Sequence, residues 1–162
     1  MNTPPPYPPG RELLAGKTAI VTAAAGTGIG FATAKRCAEE GARVLLSDKH
    51  AGRLDRYADQ LSEELGRPVP RIVCDVTDQA QVDALFAHAE NELGPVDVLV
   101  NNAGLGGTTP VVEMSDEQWN RVLDVTLYGT FRCMRAGLRH MLPHGRGSIV
   151  NVGSAIAWRA QP

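Results

Sequence analysis

The chain has 162 residues, 43% hydrophobic and 21% charged, which is enough for one domain around a single sizeable core. Its formal net charge of −2 gives no broad basic field, which excludes nucleic acid as a partner on charge grounds. No apolar run is long enough to cross a bilayer, so no membrane association is expected.

The lead-in "MNTPPPYPPGREL" has five prolines in its first nine residues and no basic segment followed by an apolar core. It is not a secretory signal, and 1–13 is expected to be a disordered, proline-rich tail. A short proline-rich ligand for another domain is the other reading of it. Cys37, Cys74 and Cys133 are far apart and odd in number, and the histidines do not cluster with them. Reduced, buried thiols in a cytoplasmic protein are therefore expected, with no metal site.

From residue 14 to 162 the sequence reads as one domain of alternating short apolar runs and longer amphipathic ones. "KTAIVT" (17–22) is a predicted strand, and 28–41 a helix stopped by Gly41. "ARVLLSD" (42–48) is a second strand, followed by a helix over 50–66 with Leu54, Tyr57, Leu61 and Leu65 at helical spacing. "RIVCDV" (71–76) is a third strand, and the helix over 77–94 carries Val82, Leu85, Phe86 and Ala89 on one stripe. "VDVLVNNAG" (96–104) is the fourth strand. Ser115 with Gln118 forms a capping box that opens a long helix running to about Met141. "GSIVNVGS" (147–154) is the fifth strand. Strands that are Val/Ile/Leu-rich without polar alternation, separated by helices, predict a doubly wound α/β fold with a parallel sheet covered on both faces.

In such a fold ligands sit beyond the carboxyl ends of the strands, where the chain reverses direction. The segment "VTAAAGTGIG" (21–30) lies at that place. Its register is unusual: Gly28 and Gly30 fit a phosphate-binding turn, but Ala23, Ala24 and Ala25 stand before Gly26 and Thr27, making the turn one residue longer than usual. Glycines here let backbone N–H groups and a helix N-terminus approach a pyrophosphate, and Gly26 can take the positive φ of a lengthened turn. Alone, the loop fits an ordinary strand-to-helix turn equally well. Asp48 ends the second strand twenty residues after Gly28, where a carboxylate can accept hydrogen bonds from ribose hydroxyls and repel a 2′-phosphate. That favours NAD(H) over NADP(H), although Lys49 and Arg53 stand nearby and a capping or solvated Asp48 is the alternative.

"DVLVNNAG", taken with "CDVTD", "EQWNRVLDVTLYGTF" and "GSIVNVGS", resembles the short-chain dehydrogenase/reductase family from about Leu14 onward. The resemblance implies a Rossmann-type, NAD(P)-binding domain. The loop of Gly26, Thr27, Gly28, Ile29 and Gly30 would cradle the pyrophosphate, Asp48 would hold the adenosine ribose, and Asp75 with Val76 would flank the adenine. Asn101, Asn102, Ala103 and Gly104 would line the cleft. Ser154 matches the serine that hydrogen-bonds the substrate oxygen, against a strand-end cap as its plain reading. The implied chemistry is reversible hydride transfer between a nicotinamide and a small-molecule secondary alcohol or ketone. "TAAAGTGIG", "VTLYGTF" and "SAIAWRAQ" look most like bacterial 3-oxoacyl carrier-protein reductases, some of whose relatives act on acyl-CoA thioesters, including steroid-derived ones. A homodimer or homotetramer is implied for the full-length form.

Two departures stand out. Thr126 occupies the position where the family usually has an asparagine that helps hold a water of the proton relay; its hydroxyl can donate and accept, so a modified relay is expected. The family's Tyr-x-x-x-Lys, whose lysine lowers a tyrosine pKa from about 10, would fall beyond Pro162. None of Tyr7, Tyr57 or Tyr128 is followed by lysine at that spacing. The sequence is therefore expected to be the N-terminal portion of a longer enzyme, truncated after strand five and inactive by itself. The alternative is a non-catalytic dinucleotide-binding protein.

Overall fold

The computed structural model describes residues 5–107 and 109–154. All of the "SAIAWRAQ" stretch after Ser154, and residues 1–4 of the lead-in, lie outside the described residues. Five strands, β1 (Thr18–Val21), β2 (Arg43–Asp48), β3 (Arg71–Val73), β4 (Val98–Asn101) and β5 (Ser148–Asn151), form one parallel sheet in the order β3-β2-β1-β4-β5. The helices between them are α1 (Ile29–Glu39), α2 (Ala51–Leu65), α3 (Gln79–Leu93), α4 (Asp116–Leu123) and α5 (Gly129–Met141). This is the doubly wound, Rossmann-type α/β fold that the rhythm of the sequence predicts.

Successive strand residues point to opposite faces, so an all-apolar strand feeds two cores at once. Ala19, Val21, Val44, Leu46 and Val100 pack on one face against Ala34 and Ala38 of α1 and Leu54, Ala58 and Leu61 of α2. Ile20, Leu45 and Leu99 pack on the other against Val82, Leu85 and Phe86 of α3 and Cys133 and Ala136 of α5. Ile20, Leu45, Leu46 and Leu99 are fully buried, each contributing about 1.5–3 kcal/mol of transfer free energy. β3 and β5 are the sheet edges, and Val150 of β5 is half exposed.

At the amino ends of the strands, Asp97 ties three strands together. It accepts from the Thr18 amide at 3.1 Å and pairs with Lys17 at 3.5 Å and Arg146 at 2.9 Å. The sequence places a strand over 71–76, but β3 ends at Val73. The chain leaves the sheet because Asp75 turns back on Thr77, accepting its amide at 3.0 Å and its hydroxyl at 2.8 Å, and Asp78 then caps α3. The predicted capping box is present at Ser115 and Gln118. The long helix it opens is interrupted by a π-helical turn, Asp124–Tyr128, that joins α4 to α5.

The proline-rich lead-in carries no regular structure over its described residues, yet it lies on α1. Tyr7 donates to Glu39 at 2.7 Å, and Arg36 donates to the Pro8 carbonyl at 2.7 Å. The buried Glu40 carboxylate accepts the amides of Arg11 and Leu13 at 2.8 and 3.2 Å and pairs with Arg36.

Candidate functional site

β1 and β4 are neighbours, and the connections that leave their carboxyl ends run to opposite sides of the sheet. The crevice between them is the ligand position of an open α/β sheet. Thr22, just past β1 and buried, organises it. Its Oγ accepts the amides of Asn102 and Ala103, both at 3.0 Å. Asn102 reciprocates by donating from Nδ2 to the carbonyls of Thr22 and Ala23, each at 3.1 Å. The predicted glycine loop and NNAG segment are thus one hydrogen-bonded unit.

The long turn takes up its extra residue by folding inward. Ala24 and Ala25 are buried, and the Ala24 amide donates to the Ser47 carbonyl at 2.8 Å. Gly26 has φ +144°, the positive value its sequence position invited. Ala23 has φ +49°, a left-handed conformation for a residue with a β-carbon. Gly30 admits no side chain: a Cβ there would lie 2.4 Å from both the Ala23 carbonyl oxygen and Asn102 Nδ2. Around Gly26 and Gly28 a Cβ would meet nothing within 4 Å. Gly28 is the N-cap of α1 and supplies no side-chain cap, so the first turn of an eleven-residue helix faces the crevice.

Beside this loop is a cavity of about 210 Å³ lined by Ala23, Asp48, Asp75, Val76, Ala103 and Gly104, among others. It gathers the carboxyl ends of four strands, β1 to β4. The Asp48 side chain is only 2% exposed. Its Oδ1 accepts the His50 amide at 2.9 Å, contacts His50 Nδ1 at 3.1 Å and receives Arg53 Nη2 at 3.1 Å, whereas Oδ2 has, among the described residues, only Arg53 at 3.3 Å. Burial pushes the Asp48 carboxyl up, but the His50 and Arg53 contacts outweigh it and hold the pKa below the ordinary aspartate value. Asp75 is also held low: burial raises it, and the Thr77 amide and hydroxyl lower it further. Two ionised carboxylates therefore border a cavity that also carries Lys49, His50 and Arg53 on its wall and Ala23, Val76, Ala103 and Leu105 among its apolar lining, with a glycine cradle alongside. Acceptors for sugar hydroxyls, a small apolar slot and open N–H groups fit an adenine dinucleotide.

The family model for short chain dehydrogenase matches residues 17–162. The chain belongs to the short-chain dehydrogenase family. It is 57% identical over 155 residues to (5R,7aS)-5-hydroxy-7a-methyl-1-oxo-2,3,5,6,7,7a-hexahydro-1H-indene-carboxyl-CoA reductase of Mycobacterium tuberculosis (strain ATCC 25618 / H37Rv), covering 94% of this chain and 58% of that one. A solved short chain dehydrogenase from Mycobacterium smegmatis superposes with a TM-score of 0.90 at 52% identity, over 97% of this chain and 66% of that one. An actinorhodin polyketide ketoreductase variant, solved with NADPH, has a TM-score of 0.84 at 36% identity, over 90% of this chain and 56% of its own. The chain thus spans little more than half the length of the curated relative, and members of this family bind a nicotinamide dinucleotide.

Within this short-chain dehydrogenase, the remaining sequence-predicted residues fall around the same crevice end. Asn101 donates from Nδ2 to Asn151 Oδ1 at 2.8 Å, tying β4 to β5, and the Asn101 carbonyl accepts the Val152 amide at 2.9 Å. Ser154 follows β5 and is exposed. Thr126 lies in the π-helical turn, where its hydroxyl donates to the Leu105 carbonyl at 3.1 Å and accepts the Leu105 amide at 3.0 Å. The proton that a relay would use is thus engaged by the loop after NNAG. Thr27 and Ile29 are exposed at the mouth of the glycine loop. His50 is a contact that sequence reading did not single out; its signal is its position two residues past the strand-ending aspartate.

A second cluster, Glu90, His140 and His144, places ligand-type atoms within 4.8 Å of one another. His140 Nε2 accepts the Val96 amide at 3.1 Å, so in the neutral ring Nδ1 carries the hydrogen, and it faces Glu90 Oε2 at 3.6 Å. That tautomer leaves His140 no lone pair for a cation. Among the described residues no helix is long and apolar enough to cross a membrane.

Proposed function

We propose that this chain is the cofactor-binding portion of an oxidoreductase that moves a hydride between a nicotinamide and a secondary alcohol or ketone, with NAD(H) the favoured cofactor. The observation that carries this reading is Asp48, buried at the end of β2 and lining a cavity beside the glycine cradle. The open turn of Gly26, Thr27, Gly28 and Ile29 receives the pyrophosphate on backbone N–H groups, and Gly30 keeps α1 close enough to Ala23 and Asn102 to hold the turn's shape. Asp48 accepts the adenosine ribose hydroxyls, and Asp75 and Val76 flank the adenine. Asn101 to Gly104 wall the cleft, and Thr126 pins the loop that continues from it through Leu105.

When bound, the nicotinamide supplies or accepts the hydride. This chain's part is to orient it and to hold the substrate oxygen on the Ser154 hydroxyl. The Tyr-x-x-x-Lys pair that would move the proton is not within these 162 residues, so the chain alone is expected to bind without turning over. For the substrate, the similarity to an indene-carboxyl-CoA reductase supports a fused-ring ketone or alcohol carried as a CoA thioester. The loop resemblance to 3-oxoacyl reductases points to the same class, an oxo group borne on an acyl thioester.

The test is an NADH fluorescence titration of the wild-type chain and Asp48→Ala. Binding that weakens about tenfold in the variant supports the reading, since one or two charge-assisted hydrogen bonds are lost. No binding in the wild type, or equal affinity in both proteins, removes it.

A further inference from the structure

The proline-rich lead-in is seated on the carboxyl end of α1 by groups that match its own hydrogen-bonding pattern. Proline has no N–H, so a proline run offers a partner only carbonyl oxygens. Over Pro8 and Pro9 the partner is a donor: Arg36 gives Nη1 to the Pro8 carbonyl at 2.7 Å and Nη2 to the Pro9 carbonyl at 3.3 Å. The same guanidinium lies 5.6 Å from the centroid of the Tyr7 ring, and the Tyr7 hydroxyl donates to Glu39 at 2.7 Å. Amides return after the prolines, and there the partner becomes an acceptor. Glu40 Oε2 collects the amides of Arg11 and Leu13 at 2.8 and 3.2 Å, while Oε1 pairs with Arg36. Glu12, between those two amides, has φ +59°, a left-handed conformation that residues with a β-carbon seldom adopt. Gly10 passes too close to α1 for any side chain: a Cβ there would lie 2.1 Å from the Glu39 carbonyl oxygen.

Arg36, Glu39 and Glu40 thus present a donor where the lead-in has only acceptors, and acceptors where it has donors. A segment stiffened by prolines also loses less chain entropy on docking than a flexible one. We infer that the carboxyl end of α1 is a peptide-binding site for a proline-rich segment followed by glycine, and that its ligand is residues 7–13 of this same chain. The lead-in is then a strap held in cis, its tyrosine and prolines taken up by α1 rather than presented to another domain. Its release leaves the buried Glu40 carboxylate with Arg36 alone as its partner among the described residues.

Amide hydrogen exchange, read residue by residue by nuclear magnetic resonance on the whole chain, tests this. In the wild type the Arg11 and Leu13 amides should exchange at least about tenfold more slowly than in a free peptide of the lead-in, as expected for bonds to a carboxylate. Gly10→Ala should bring them within about twofold of the peptide. Arg36→Ala should remove most of the protection, and Arg36→Lys, which keeps the charge without the fork, should fall between Arg36→Ala and the wild type. The amide of Ile20, fully buried in β1, is the check on folding and should stay protected throughout. Where a variant loses the Ile20 protection as well, Tyr7→Phe stands in for it: removing only the hydroxyl donated to Glu39 should speed exchange at Arg11 and Leu13 about threefold. Peptide-like exchange of both amides in the wild type overturns the strap. Protection unchanged in Gly10→Ala or Arg36→Ala, or in Tyr7→Phe where it replaces them, overturns the binding site on α1.

Discussion

Replacing Thr22 by valine tests how the crevice is held together. The substitution keeps the shape of the side chain and removes only the hydroxyl. It leaves the amides of Asn102 and Ala103, each 3.0 Å from Oγ, without their acceptor, and also removes a longer bond to the Val100 carbonyl at 3.4 Å. A buried amide left unpaired costs about 1–3 kcal/mol. Both amides belong to half-buried residues, so the lower part of that range applies, and Thr22→Val should lose about 2–4 kcal/mol. That is a large share of the roughly 5–15 kcal/mol of a typical domain. Thr22→Ser keeps the oxygen and should cost about 1 kcal/mol for the lost methyl. Urea unfolding monitored by circular dichroism measures both. A valine variant within about 0.5 kcal/mol of wild type, or one at least as stable as the serine variant, would refute the view that this hydroxyl joins the glycine loop to NNAG.

Other outcomes follow from the same structure. Ala23→Gly should stabilise the chain by up to about 1 kcal/mol in urea unfolding, because relief of the left-handed φ of +49° exceeds the added entropy of glycine in the unfolded chain; clear destabilisation would contradict this. Asp97 is pushed up by burial but pulled further down by the Thr18 amide, Lys17 and Arg146, below its ordinary value of 3.8. A carboxyl lowered in the folded state adds stability above its unfolded pKa and loses it as pH falls through the folded one. Acid unfolding should therefore set in below about pH 4, and Asp97→Asn should lower stability at neutral pH while flattening the loss on the acid side; parallel curves would count against it. Burial pushes the thiols of Cys74 and Cys133 up to about 11 and about 12, so at pH 8 a thiol reagent should label partly exposed Cys37 first in the native chain, and the other two only on unfolding.

Much of this was legible from residues alone because it depends on short-range patterns. Apolar strands without alternation specify a sheet covered on both sides, and Ser115 with Gln118 specifies a helix start. Asp48 and the two asparagines stand out because polar groups at the ends of apolar strands need partners. What escaped depends on contacts between distant segments. The π-helical turn at Asp124–Tyr128 has no proline to announce it; its trace is Gly129, where a Cβ would lie 2.6 Å from Val76 Cγ2. The left-handed Ala23 is set by the Asn102 side chain some eighty residues away, which holds the Thr22 and Ala23 carbonyls. The docking of the lead-in depends on Glu40, an acidic residue near a helix end that periodicity alone would leave in solvent. The pairing of Arg53 with Asp48 needed the first turn of α2 to be seen folding back over the end of β2.

The central claim is that the glycine loop, Asp48 and NNAG form one dinucleotide site at the carboxyl ends of the strands. Amide chemical-shift mapping of the isotope-labelled chain on titration with NADH tests it most directly. The account predicts saturable shifts at Gly28, Ile29, Gly30, His50, Val76 and Gly104, with Glu90, His140 and His144 unmoved. Shifts at the His140 end with none in the glycine loop, or no saturable shift at all, would contradict it.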